Sequence, residues 1–493
     1  MAGVTGIGSG IDIDNIVKGM VAAERAPKET QLANLEKKTT TQITAIGALK
    51  SAISDFQTAL GGLNKPELFQ ARSATSSKSD LVGITASTKA GAGSYQVEVK
   101  SLATSSKIAL KPFPNTAEAP ATFGGGTLTF KVGEKSLSVT VDEANNTLAG
   151  IRDAINAGGK DMGLTATIVT DDAGARLVLS SASTGDGENI TVVGETANAE
   201  LGASSLEALS FDGSIVEPKL SDFENVPEEY EAAMAAYRQG PMTLSQAQSA
   251  QISVDGLLIT SKTNKIEGAI EGVTLDLKAK TAANEPLTIS VAEDKAGVKK
   301  QVQSFVDAYN KLIGVINAQT KVTPVGDGKT PVTGALVGDA TARTLLGTIR
   351  NELVNVQGDG ALRALTDIGI TTQKDGTLGI DNDKLDKAMA ESFNELPGLF
   401  TGDKGLASRL DAKLKPYTET GGILEQRNKV MTETISGIDK QKENLNLRIA
   451  SLQERLFKQF NAMDLLVGQL SNTSSSLLAS LENLPWAAGN SKK

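Results

Sequence analysis

The chain has 493 residues, a net charge of −9, 40% hydrophobic but only 4% aromatic residues, and neither cysteine nor histidine. This excludes disulfides, Cys–zinc sites, thiol nucleophiles and imidazole general bases, and it implies cores of Leu, Ile, Val and Ala rather than an aromatic-walled pocket. The charge is uneven: residues 1–70 carry seven basic and seven acidic side chains and residues 421–493 nine and seven. The middle carries 33 and 44, with no basic stripe for nucleic acid.

The length suggests about three domains. No charged n-region precedes an apolar run, so no cleavable secretion signal is expected. No apolar run approaches the ~18 residues of a membrane span.

Taken in order, the first feature is glycine-rich: Gly3, Gly6, Gly8 and Gly10 precede an apolar-periodic run. A glycine loop opening a helix can cradle phosphate. Here the spacing is G-x-G-x-G, no strand can precede residue 3, and no P-loop occurs elsewhere, so nucleotide binding is rejected. The stretch reads instead as a flexible lead into an amphipathic helix. Asp12 and Asp14 suit its N-terminus, and Ile13, Ile16, Val17, Met20 and Val21 share one face. Pro27 is expected to interrupt it.

A heptad pattern follows. Leu32, Thr39, Ile46, Ile53 and Leu60 form one row, and Leu35, Gln42, Leu49, Phe56 and Leu63 the other, ending at Gly61, Gly62 and Pro66. From about Leu81 to Ala292 the texture turns to Ser, Thr, Gly and Val. Period-2 strands are expected at 95–99, 128–132, 137–141, 252–254 and 273–277, with further strands at 164–169 and 177–179. A short helix at Leu148–Ile155 and a turn at 171–174 belong to the same α+β unit, and 196–244 reads as irregular apart from a helix near Glu228–Tyr237.

A helical face through Val298, Val302, Phe305, Tyr309, Leu312 and Ile316 comes next, then a Pro/Gly/Thr loop at 321–334. Helices are expected at 341–354, 383–395 and 405–417, with a hairpin turning at Asp375-Gly376. The heptad returns at the end. Leu424, Met431, Ile438, Leu445, Leu452, Gln459 and Leu466 form one row; Asn428, Ile435, Lys442, Ile449, Leu456, Met463 and Leu470 form the other.

The fold class is therefore α+β and multidomain, with long coiled-coil-like terminal helices forming a stalk around an inserted β-rich head. The expected parts are 1–70, an inner head of 71–115 with 245–293, an outer head of 116–244, a helical bundle with a hairpin at 294–420, and a C-terminal helix at 421–493. The candidate functional residues are the seam positions, read either as an ordinary intramolecular bundle or as an oligomerisation surface. Acidic groups do not make a convincing site. Asp381-Asn-Asp383 with Asp386 lacks the glycine and distal glutamate of a calcium loop. Asp171-Asp172 and Asp186-Gly-Glu188 read as turn residues. No catalytic residue, metal or cofactor is expected, and the chain does not read as an enzyme.

Several stretches carry a resemblance. GIGSGIDIDNIVKGMVAAE near the start, DGLLITSKTNKIEGAIEGVTLDLKA at 255–279, VQSFVDAYNKLIGVI, LTDIGITTQKDGTLGIDNDKLDKAM and RLFKQFNAMDLLVGQL at 455–470 resemble, in order, motifs of the flagellar filament cap family, hook-associated protein two. Residues 127–180 are similar to a small repeat of flagellin and hook-associated proteins. The resemblance implies a homo-oligomeric ring at the distal filament tip, outside the cell, exported unfolded through the flagellar type III channel without a cleavable signal. It implies partners in flagellin, in the hook-associated junction proteins and in an export chaperone docking on the C-terminal helix. It implies an action that retains exported flagellin and promotes its folding and polymerisation, without chemistry. Other readings remain open: a tip adhesin whose head binds host mucin or glycan, a carbohydrate-active enzyme, and a different hook–filament junction protein. The mixed seam residues do not fix the ring's copy number.

Overall fold

The computed structural model describes residues 10–213, 215–223, 226–326, 330–355 and 362–482. Gly3, Gly6 and Gly8 of the N-terminal lead lie outside them. The chain divides into a helical unit, made of everything up to Phe69 and from Lys295 onward, and a β-rich unit from Gln70 to Asp294.

The helical unit opens with one 51-residue helix, Ile13–Leu63, which we call the N-terminal helix. Asp12 caps it, its carboxylate accepting from the Asn15 N–H at 3.0 Å. Pro27 does not interrupt this helix, contrary to the sequence expectation. Proline removes one bond to the carbonyl four residues back, that of Ala23. Both Pro27 and Ala23 are exposed, so water can take up the freed carbonyl. The helix stops at Leu63, where the Asn64 N–H returns to the Leu60 carbonyl.

Its second half forms the core of a bundle. Ile46, Leu49, Ile53, Phe56, Leu60 and Leu63 are buried with Val298, Val302, Phe305 and Tyr309 of the helix Lys295–Thr320 and with Leu406, Leu410 and Leu414 of Leu406–Thr418. The Phe56 ring sits 5.6 Å from Phe305 and 5.8 Å from Tyr309, centroid to centroid. Gly62 lies where Gln301 crosses to donate to the Ala59 carbonyl; a Cβ there would sit 2.0 Å from the Gln301 amide nitrogen.

Strands Ile370–Thr372 and Leu378–Ile380 make the expected hairpin. The Tyr309 hydroxyl donates to the Gly376 carbonyl at 2.9 Å, and the Asn310 side chain brackets the backbone of Leu378. Asp381 caps the next helix, Asn382–Glu391, which is the structural role open to the DND stretch. The loop at 321–334 differs from its reading: Val322–Thr323 pair with Val332–Thr333 as a short exposed ladder. The unit closes with the 60-residue helix Ile423–Glu482, the C-terminal helix, about 90 Å long at 1.5 Å per residue.

The β-rich unit has two hydrophobic cores. The inner core lies in a five-stranded antiparallel sheet, ordered Arg72–Ser76, Leu287–Glu293, Gly93–Ser101, Ala250–Val254, Leu257–Ser261, and in a three-stranded sheet, Lys265–Ile270, Val273–Leu277, Val82–Ala86. Asp255 (φ 49°) and Gly256 (φ 84°) turn the chain between the last two strands of the larger sheet. The outer core is enclosed by Met242–Ser245, Ser105–Ala109, Gly174–Thr184 and Leu164–Asp171, by the sheet Lys135–Val141, Gly125–Val132, Ile190–Asn198, and by the helix Leu148–Gly158.

The acidic turn residues have structural partners. The carboxylate of Asp171 lies 2.9 Å from Nε of buried Arg176, whose other nitrogens donate to the Arg238 and Gly240 carbonyls at the end of the helix Pro227–Gln239. Asp186 and Ser249 bond each other's N–H reciprocally, and Glu188 holds Lys262 at 2.9 Å.

Candidate assembly surface of the terminal helices

The first half of the N-terminal helix packs along the C-terminal helix rather than into the bundle. The two run antiparallel, as their ion pairs show: Lys50 with Glu425, Glu36 with Lys442, Glu24 with Arg448. At the far end Ile13 and Val17 are buried with Leu456, with Val21, Leu452, Phe457 and Phe460 against them.

The seam positions therefore divide three ways. Ile46, Leu49, Ile53, Phe56 and Leu60 belong to the bundle core, so the expected five-heptad coil is shorter than its pattern. Ile13, Val17 and Leu32 on one helix, and Ile438, Ile449 and Leu456 on the other, are buried, with Ile435, Leu445 and Leu452 half-buried. Ile16, Met20, Leu35, Met463, Leu466 and Leu470 are exposed.

The polar interruptions divide as well. Lys442 finds Glu36. Thr39 is buried and turns its hydroxyl back to the Leu35 carbonyl at 2.8 Å. Asn428 has a buried side-chain oxygen with no hydrogen-bond partner among the described residues. Beside it, Arg427 reaches Asp339, which also caps the helix Ala340–Val354; the guanidinium is the main cause holding the Asp339 carboxyl below the usual carboxylate range.

The C-terminal helix continues past the start of its partner. From Leu465 to Leu481 it has no charged side chain, and Met463, Leu466 and Leu470 are 44, 58 and 69% exposed. Leu477 and Leu481, which are not among the expected seam residues, add further exposed leucines. Leu477 stands seven residues after Leu470, so the heptad itself carries its signal, whereas Leu481, four residues on, is one position off the other row. No group of metal-ligating side chains occurs among the described residues, and no described helix is long and apolar enough to cross a membrane.

Comparison with known proteins gives a consistent set of likenesses. Residues 9–106 match the flagellar hook-associated protein 2 N-terminus, 247–472 its C-terminus, and 127–183 the flagellin hook IN motif. The B-type flagellar hook-associated protein 2 of Pseudomonas aeruginosa is 47% identical over 492 residues, covering 99% of both chains. The flagellar hook-associated protein 2 of Escherichia coli is 31% identical over 489 residues, 97% of each. The crystal structure of the D1-D2-D3 domains of the Escherichia coli flagellar cap protein FliD superposes with a TM-score of 0.59 at 27% identity, covering 78% of this chain and 99% of that one.

Proposed function

The chain belongs to the flagellar hook-associated protein 2 family, whose members form oligomeric caps on flagellar filaments, and we propose that the exposed stripe of its terminal helices is what joins it to that assembly. Its role is that of the flagellar filament cap.

The observation that carries the proposed assembly surface is the uncharged, apolar-striped end of the C-terminal helix. Met463, Leu466, Leu470, Leu477 and Leu481 all stand exposed to water on this helix. An isolated helix end of this kind is marginal, and packing in an assembly stabilises it. Ile16, Met20 and Leu35 add exposed apolar positions on the N-terminal helix.

In this reading the chain leaves the cell unfolded through the flagellar type III channel, and the helix ends gain order when copies meet at the filament tip. The β-rich units then form a lid that retains flagellin and lets it fold and insert beneath. The junction proteins at the filament base and a chaperone for the C-terminal helix complete the set of partners. The head domains of 71–115 with 245–293 and of 116–244 correspond in this reading to the inner and outer cores, except that Ser105–Ala109, Leu110 and Phe113 belong with the outer one. The test is sedimentation of the full chain against one ending at residue 460, both at high concentration. The full chain is expected to form a multimer and the shortened one a folded monomer. Equal masses would refute the role given to the stripe.

A further inference from the structure

A second surface, on the outer part of the β-rich unit, combines charge and exposed apolar groups in a way the cap role does not use. The β-rich unit holds 17 basic and 29 acidic residues, a net of −12, while the helical unit is at +3. Residues 212–231 alone contain seven carboxylates against the single cation Lys219, a net of −6, so twenty residues carry half of the unit's net charge.

The same stretch exposes aliphatic side chains. Ile215, Val216, Leu220 and Val226 all face solvent. Ile215 is tied to the fold: Thr243 donates its hydroxyl to the Ile215 carbonyl, and the Tyr237 hydroxyl donates to the Thr243 carbonyl at 2.9 Å. Burial, and after it the charge of Glu217, raise the pKa of Tyr237. Phe223 and Tyr230 meet edge-on at 6.3 Å in the same stretch. Next to Ile215 a groove of about 570 Å³ runs between Thr191–Val193 and Ser210–Asp212. Its rim carries exposed Val193, and Val192 and Phe211 pair beneath it.

Contiguous exposed apolar surface framed by polar groups marks an interaction site, and the sign of the frame selects the partner. We propose that this face docks a cationic, partly apolar polypeptide segment of another protein. Polyanions such as sialylated mucin meet like charge here, as does a second copy presenting the same face. Lys or Arg side chains would pair with Glu217, Glu228, Glu229 and Glu231, while their aliphatic neighbours cover Val216 and Leu220.

The test uses the full chain and a fluorescently labelled twelve-residue peptide of alternating lysine and leucine, read by anisotropy. Oligolysine of equal charge and sialylated mucin serve as comparators. Two variants are compared, E217Q/E228Q/E229Q/E231Q and V216S/L220S, all at exposed positions, with circular dichroism to verify the fold. Affinity for the Lys/Leu peptide should fall about tenfold or more in the charge variant and about fivefold in the apolar one. Unchanged binding in either variant overturns the proposal. So does oligolysine binding as tightly as the Lys/Leu peptide, preferential binding of mucin, or a change in the chain's own oligomeric mass in V216S/L220S.

Discussion

Lys442 on the C-terminal helix and Glu36 on the N-terminal helix form an ion pair across 406 positions of sequence, their side chains 2.5 Å apart and each 37% exposed. A lysine at a seam position looks like a defect in the heptad, and here its charge is met at the edge of the seam. With both groups this exposed, water screens the pair, and its coupling should be no more than about 1 kcal/mol. A double-mutant cycle of Glu36→Gln and Lys442→Gln in denaturant checks this. Lys442→Leu is expected to raise the melting temperature, since it replaces a screened pair with seam packing.

Phe56 and Leu466 sit at like-looking heptad positions but should behave in opposite ways. Phe56 is fully buried against Phe305 and Tyr309, so Phe56→Ala should cost about 3–5 kcal/mol. Leu466 is 58% exposed, so Leu466→Ser should change stability by less than about 0.5 kcal/mol. Chemical unfolding of the two variants separates core from surface.

Asn428 keeps a buried side-chain oxygen with no hydrogen-bond partner among the described residues. Removing such a group while preserving shape relieves a desolvation penalty of about 1–3 kcal/mol. Asn428→Leu is expected to raise the denaturation midpoint, and a lower midpoint would show that the oxygen is satisfied after all.

Glu207 accepts from the Thr196 hydroxyl at 2.6 Å and from its N–H at 2.8 Å, and these bonds, the hydroxyl first, hold its carboxyl down to about 2. A depressed folded-state value adds stability that is present above the ordinary value of 4.5 and is lost as pH falls through about 2. The Glu207 carboxyl signal should therefore titrate near 2 by NMR. In Thr196→Val the midpoint should move toward 4.5, and acid destabilisation between those limits should become shallower.

Much of this organisation is legible in the residues. The face of Ile13, Val17 and Val21, the helix through Phe305 and Tyr309, and the Asp375-Gly376 turn all stand where period and turn chemistry place them. What failed did so for physical reasons. Pro27 was overridden because a long helix with a packed second half tolerates one missing bond on a wet face. The strand Gly174–Thr184 is longer than the 177–179 that the residues predict, because Ala175 to Leu179 are buried without alternation. The edge strand Leu257–Ser261 exposes two successive leucines and shows no period either. Which partner each half of the first heptad chooses could not be read from the period. Ile46 to Leu63 pack on the helix Lys295–Thr320, while Leu32 lies along the C-terminal helix; both surfaces ask for the same apolar spacing.

The most direct measurement is filament growth in cells that lack their own cap protein and produce this chain with Met463, Leu466 and Leu470 all changed to serine. These positions are exposed, so the purified variant should melt like the parent chain. The account predicts that it supports no filament elongation and that flagellin is lost to the medium. Filaments of normal length from a folded triple variant would contradict it.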